Sequence, residues 1–196
     1  MLAEAREAAE KEGRPIQREM YKMLVKQATK EDWAKLINKR LTATTGDNDI
    51  NPMVGEQATK ILKEIKGHTA MAAMKTMMNG WATTRRFHRD KIIKCIFGCD
   101  EPDDMTHYWR CSPRWQMVST PTGRQIDSYK DIFGAGKTME LATVKLIAVA
   151  FTTYHSMIKG RPRCIAEADE TGDYDVSLRI AAAIAKTVAR ELRLAV

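Results

Sequence analysis

The sequence predicts a mainly α-helical fold that carries a small embedded module built on three cysteines and a histidine. Apolar residues recur every three or four positions along most of the chain, which is the spacing of one helix face. No segment shows the sustained alternation of apolar and polar residues that marks a half-buried strand. Three of the four cysteines fall within seventeen residues, with a histidine among them.

Length and composition fit one domain, or one domain with a small module. The 196 residues are 44% hydrophobic and 29% charged, which is typical of a globular protein rather than a disordered tail. No apolar run is longer than that from Leu146 to Phe151, which is far shorter than the ~20 residues that cross a bilayer, so we predict no transmembrane segment. The first seven residues resemble neither a secretory signal nor a transit peptide. The compartment stays open, with the mitochondrion favoured over the nucleus and cytoplasm.

The chain is strongly basic. A formal net charge of +7 and an isoelectric point near 9.3 favour a polyanionic partner, such as nucleic acid or an acidic membrane surface.

We divide the chain into an N-terminal helical region (1–66), a cysteine-bearing module (67–115) and a C-terminal helical region (116–196). The predicted N-terminal elements are a solvated helix over 2–12, two helices within 16–41, a loop over 42–52 and a helix over 52–66. A stripe of methionines opens the module, and we interpret it as core packing rather than as a binding groove; it comprises Met71, Met74, Met77 and Met78.

The C-terminal region is predicted to hold two long helices. The elements are a loop-rich stretch with short helices over 112–137, a buried helix over 138–158, a solvated acidic loop over 167–175 and an amphipathic helix over 176–196. One stripe of the last helix is expected to pack, namely Ile180, Ile184, Val188 and Leu192. A second stripe is basic and fits either a polyanion contact or ordinary solvated surface; it comprises Arg179, Lys186, Arg190 and Arg193.

The pattern Cys95-x3-Cys99-x7-His107-x3-Cys111 provides the three thiolates and one imidazole that zinc takes in closed tetrahedral sites. Gly98 allows the tight turn that aims the first two thiolates inward. With four protein ligands no position is left for water, so we expect a structural zinc rather than a catalytic one. A chance cluster of reduced cysteines is the alternative.

Local spacing places the second half of this site on one short helix. Either Asp103 or Asp104 is expected to cap that helix, with His107 and Cys111 four residues apart on one face. Cys164 stands alone and is predicted to be an inert thiol.

A basic segment with neighbouring aromatic residues precedes and surrounds the cysteines. Cations beside aromatic rings are typical of contacts with single-stranded or looped RNA, whereas the same rings could instead form the core of a small zinc module. The rings in question are Trp81, Phe87, Tyr108, Trp109 and Trp115. The candidate RNA contacts in this part of the chain are Arg85, Arg86, Arg89, Lys91, Lys94, Arg110 and Arg114.

Five short sequences carry a resemblance to a known family: Asn79 to His88, Cys95 to Cys99, Asp103-Asp104, His107-Tyr108 and Cys111 to Trp115. Together they resemble the zinc-binding region that follows the polymerase domain in non-LTR retrotransposon reverse transcriptases. The resemblance covers about residues 67–115. It implies that Cys95, Cys99, His107 and Cys111 bind zinc and that the preceding basic segment contacts element RNA or target DNA.

Motifs for catalysis are missing from this sequence. It has no Tyr/Phe-x-Asp-Asp polymerase motif, and no Pro-Asp…Asp…Lys nuclease arrangement follows Cys111. The run Gly134 to Thr138 resembles the end of a P-loop, but Asp131 stands where that loop needs glycine. No pattern supports a Cys164–His155 nucleophilic pair. We therefore expect neither an enzyme nor a nucleotide cofactor.

These observations predict a non-catalytic, zinc-stapled RNA-binding protein within a ribonucleoprotein, such as an organellar (mitochondrial) ribosome, with rRNA and neighbouring proteins as partners and no membrane insertion. Two alternatives remain. One is a fragment of an active retrotransposon reverse transcriptase, and the other is a protein-interaction scaffold that docks partners on the methionine stripe and the last helix.

Overall fold

The structure, a computed structural model, describes residues 7, 10–11, 32–86 and 93–194. Over these residues the chain is mainly helical and has no β-strand, which confirms the predicted fold class. Two isolated bridges pair Ile50 with Gly134 and Lys94 with Pro102. The first of the two helices predicted within 16–41 lies outside the described residues, as does most of the helix predicted over 2–12.

The helices are numbered in chain order. They are α1 Trp33–Thr45, α2 Val54–Glu64, α3 Gly67–Met77, α4 Met105–Tyr108, α5 Ser112–Ser119, a 3₁₀ turn Thr120–Thr122, α6 Lys130–Phe133, α7 Leu141–Gly160, α8 Pro162–Thr171 and α9 Asp175–Glu191.

Helix α1 runs further than the sequence predicts. Asp32 caps its first turn by accepting from the Lys35 backbone N–H at 3.2 Å. The Thr44 and Thr45 hydroxyls donate to carbonyl oxygens one turn back, at 2.7 and 2.8 Å, so the threonine-rich segment continues the helix. Gly46, with φ of 66°, ends it. The predicted loop over 42–52 is therefore wrong for its first four residues.

Helices α1 and α2 approach each other closely at Gly55. A Cβ at this position would lie 2.0 Å from the carbonyl oxygen of Ala34, so no larger residue fits without moving a helix. The Gly55 backbone N–H donates to the Asn38 side-chain oxygen at 2.8 Å, which fixes the contact.

Helix α7 lies at the centre of the fold. Helices α3 and α9 make its largest contacts, and α5, α8 and α2 also pack on it. Among the described residues it is the one helix long and apolar enough to cross a membrane, with a mean hydropathy of 1.3 over 18 residues. The longest uninterrupted apolar run did not reveal this, because Thr and Lys residues break the run. In this fold 56% of that window is buried inside the protein, as expected of a core helix.

The acidic segment predicted as a loop over 167–175 is helical through Thr171, so that prediction is wrong for its first five residues, whereas residues 172–174 do form a connection between helices. Pro162 starts α8 at a position where its missing N–H costs nothing. Ile165 and Ala168, three residues apart, are buried, and the acidic side chains lie on the other faces. Gly172, with φ of 74°, ends the helix.

Helix α9 packs mainly through small side chains. Its fully buried line is Ser177, Ala181, Ala185 and Ala189, spaced four residues apart. The large apolar stripe predicted to pack is half-buried beside this line. Because small residues allow backbones to approach, α9 lies close against α7.

Buried residues form one hydrophobic cluster that includes residues of all three predicted regions. The core-packing interpretation of the methionine stripe is confirmed for Met77, which is fully buried, and for Met74 and Met78, which pack against the core. It is wrong for Met71, which is 55% exposed.

Candidate metal centre

Cys95, Cys99, His107 and Cys111 come together in space, and this cluster could hold a metal ion. Their candidate ligand atoms all lie within 4.8 Å of one another. The Cys111 sulfur is 3.8 Å from that of Cys95 and 3.6 Å from that of Cys99. Sulfurs bound tetrahedrally at about 2.3 Å from one ion are separated by about 3.8 Å. All the cysteines are free, so these separations are those of a ligand set and not of disulfides.

The first two sulfurs are positioned by a tight turn. Gly98 adopts φ of 81°, a left-handed conformation that favours glycine, as the sequence predicts. Its N–H donates to the Cys95 carbonyl at 3.0 Å, which closes the turn. The Phe97 backbone N–H points at the Cys95 sulfur at 3.4 Å. A donor in this position stabilises a thiolate.

The second pair does not share a helix, contrary to the prediction. Asp104 caps α4 by accepting from the Thr106 N–H at 3.1 Å, and His107 lies within this one-turn helix. The helix ends at Tyr108, and Cys111 is the residue that precedes α5. Pro113 at the start of α5 explains the break, because proline favours the first turn of a new helix.

The environment of His107 indicates whether these residues fit a metal. Its Nε2 atom is buried and has no hydrogen-bond partner, which would be costly for a polar atom without a ligand. Burial raises the pKa of the Cys95 thiol, and burial together with the nearby Cys95 raises the pKa of Cys99 to about 11. A divalent ion reverses this effect, since it binds the thiolate form. The donor set thus fits a soft or borderline divalent metal.

Asp103 is a buried anchor that the sequence did not distinguish from its neighbour Asp104. Its side chain is fully buried and accepts from the Tyr108 hydroxyl at 2.7 Å and the Tyr154 hydroxyl at 2.9 Å. It also accepts from the Thr84 backbone N–H at 2.6 Å. One carboxylate therefore joins the loop after α3, the helix α4 that carries His107, and the central helix α7.

The aromatic side chains form the core of this module. Trp81, Tyr108, Trp109 and Trp115 are all fully buried. Trp109 and Trp115 stack with ring centroids 6.0 Å apart, and the Trp115 indole N–H donates to the Trp109 carbonyl at 2.9 Å. The interpretation of these four rings as base-stacking platforms is therefore wrong, because folding of the module already buries them. Phe87 lies outside the described residues.

Arg114 is fully buried, so its prediction as an RNA contact is also wrong. Its guanidinium carbon lies 3.7 Å from the ring centroid of Trp115 and 5.1 Å from that of Trp81. None of its three side-chain nitrogens has a hydrogen-bond partner. Burial lowers its pKa to about 9, whereas the nearby Cys111 acts in the opposite direction. At neutral pH the group is still a cation.

The other predicted RNA contacts of the module lie at the surface where they are described. Arg85, Arg86, Lys94 and Arg110 are exposed. Arg85 pairs with Asp104 at 3.1 Å, Lys94 pairs with Asp100, and Arg110 donates to the carbonyl of Thr45. Arg89 and Lys91 lie outside the described residues, as does His88.

On α9 the predicted basic stripe is exposed along its whole length, namely Arg179, Lys186, Arg190 and Arg193. Arg179 bonds within its own helix, to the Asp175 carbonyl at 3.4 Å. Within the part of the chain that the structure describes, no ion pair joins the other three cations to a carboxylate. The exposed face of α9 is thus basic, whereas its buried face is lined by small, uncharged residues.

Fold and site together define a helical protein with a compact Cys-Cys-His-Cys cluster. The chain matches none of the family models, curated proteins or solved structures with which it was compared. A function for this protein must therefore be argued from the cluster and the residues around it.

Proposed function

We propose that this protein binds a structural zinc ion and uses its exposed basic surfaces to bind RNA as a non-catalytic component of a ribonucleoprotein. The observation that carries the proposal is the four-ligand cluster embedded in a buried aromatic core, beside which the chain presents its positive charge to solvent.

Three features support zinc in a structural role. The cluster offers three sulfurs and one imidazole, and this complete tetrahedral set leaves no position for a substrate. Cys95 and Cys111 are almost fully buried, at 0% and 1% exposure. The first two cysteines lie in a turn, His107 lies in the one-turn helix α4 and Cys111 precedes α5, so a bound ion would join separate short segments and supply folding free energy.

Elemental analysis of the purified protein tests the metal. We expect one zinc per chain, retained through gel filtration and removed by a strong chelator with loss of near-UV circular dichroism from the buried tryptophans. Purified protein that lacks zinc and keeps this signal would contradict the proposal.

RNA binding rests on the distribution of cations. Arg85, Arg86, Lys94 and Arg110 are exposed cations of the cysteine-bearing module, and the stripe of α9 provides four further exposed cations. Neutralising phosphates releases counterions, so affinity for mixed RNA should fall steeply as salt rises from low to moderate concentration. Binding that is absent, or insensitive to salt, would contradict a phosphate contact.

The setting we favour is an organellar ribosome, where rRNA offers a dense polyanionic surface that can be recognised by charge and shape. Descent from a retroelement reverse transcriptase is part of this proposal and is supported by the residues of the zinc module alone. Sedimentation of the native protein with ribosomal particles is the decisive measurement. Its absence from such particles, with RNA binding intact, would place the protein in another ribonucleoprotein.

A further inference from the structure

Arg114 is the least satisfied charged group in the described part of the chain. Its side chain is fully buried, and three nitrogens with their donor hydrogens have no acceptor. Contacts with the rings of Trp115, Trp81 and Trp109 offset part of this cost, since a desolvated cation is attracted to an aromatic face. The cost of an unpaired ion in a protein interior is larger than this gain. The rings alone therefore do not explain an arginine at this position.

The other fully buried ionic group, Asp103, already has its own donors in Tyr108, Tyr154 and Thr84. Among the described residues Arg114 forms no ion pair with a carboxylate. A compensating charge must come from elsewhere.

The candidate metal cluster lies near Arg114. Cys111 occupies the N-cap position of α5, and Arg114 is the third residue of the same helix. Burial lowers the pKa of Arg114, and Cys111 and Cys95 are close enough to act in the opposite direction. A divalent ion bound by three thiolates and a neutral imidazole carries one net negative charge. That charge is equal and opposite to the charge of one guanidinium.

We propose that Arg114 is the counter-charge of the metal centre, so that the loaded centre and the arginine form a neutral unit inside the aromatic core. This inference rests on the proposed metal site and goes beyond it. Arg114 is then a positioning residue that binds no metal itself. It stabilises the negatively charged loaded centre and so raises the affinity of the site for a divalent cation.

The metal-free protein separates this role from a general loss of stability. Without metal the segment from Trp81 to Trp115 is expected to unfold, so the Arg114 charge is hydrated and carries no burial cost. The Arg114→Met variant should therefore be as stable as the unaltered protein in chelator, yet bind zinc more weakly.

The experiment measures zinc affinity by competition with a chromophoric chelator, using the full chain. We expect Arg114→Met to weaken binding at least tenfold and Arg114→Lys, which keeps the charge, to recover most of that loss. The matched control is Arg110→Met, because Arg110 is an exposed cation in the same cleft as Cys111. Its removal should change affinity less than twofold. Cobalt(II) absorption reports whether each variant keeps tetrahedral thiolate coordination.

Several outcomes would overturn the inference. Zinc affinity of Arg114→Met within twofold of the unaltered protein would show that the charge is not needed. Equal losses in Arg114→Met and Arg114→Lys would show that shape and not charge matters, and equal losses in Arg114→Met and Arg110→Met would show a general charge effect. If the unaltered protein binds no zinc, the proposed metal site fails as well, so the two failures are distinguishable.

Discussion

The metal module and the outer face of α9 use arginine in opposite ways. In the module, Arg114 is sealed among three tryptophans beside the thiol cluster. On α9, Arg179, Arg190 and their neighbours are in solvent, while alanines face the core. We therefore propose two separate roles for positive charge in this chain. One is to balance charge inside the fold, and the other is to contact a partner.

The largest effect is expected when one of the four candidate metal ligands is replaced. We predict that Cys111→Ser abolishes stable zinc binding and unfolds the segment from Trp81 to Trp115, because metal affinity and folding are coupled. Zinc content and tryptophan fluorescence measure the two losses. Cys164→Ser is the control, since Cys164 is half-buried in α8, outside the cluster. Equal zinc content in both variants would contradict the assignment.

A smaller loss is expected when the module keeps its metal and loses its buried anchor. Asp103→Asn replaces one acceptor oxygen by a donor among three donors, which should lower the free energy of unfolding by about 3 kcal/mol. Denaturant unfolding measures this. Asp104→Asn should cost under about 0.5 kcal/mol, because asparagine caps a helix as well as aspartate does. Similar losses in the two variants would show that Asp103 is not the anchor.

The α9 face should affect binding and leave folding unchanged. We predict that Lys186→Glu combined with Arg190→Glu weakens RNA affinity about tenfold, which is about 1.4 kcal/mol, and leaves the unfolding temperature unaltered. Lys35→Glu with Lys60→Glu changes the net charge equally on the distant α1 and α2. If this control weakens binding as much, the effect comes from net charge and not from the α9 face.

The smallest effect is confined to acid. The Tyr129 hydroxyl, the Asp49 N–H and Lys130 hold the pKa of Asp47 at about 2, below its ordinary 3.8. The folded state therefore gains stability from Asp47 above about pH 4, and this gain is lost as the pH falls towards 2. Asp47→Asn should remove this part of the acid dependence and leave zinc content unaltered. If the acid unfolding profile of Asp47→Asn is the same as that of the unaltered protein, the assigned role of Asp47 is wrong.

The sequence could predict what depends on local spacing. Helical periodicity located α2 and α7, and the cysteine spacing identified all four members of the cluster. The sequence could not predict which residues meet in three dimensions. In the sequence Arg114 is one of many cations. Only the fold shows that it packs against tryptophans from before and after the first two cysteines. The acidic composition of α8 led to the prediction of a loop, although the burial of Ile165 and Ala168, three residues apart, is typical of a helix.

The sequence also did not predict that the small residues of α9 are the ones that are fully buried. Hydrophobicity scales rank Ile184 above Ala185, whereas close packing of two helices selects the smaller side chain.

The turn at Gly98 lies beneath the start of α9. A Cβ at Gly98 would be 3.5 Å from the Tyr174 side chain, and the Ser177 hydroxyl donates to the Ile96 carbonyl at 3.3 Å. The start of α9 thus packs against the turn that presents the first two sulfurs. Opening of this contact should loosen both sulfurs together. Exchange of a bound ion with a radioactive isotope would then respond to the dynamics of a helix far from the turn in sequence.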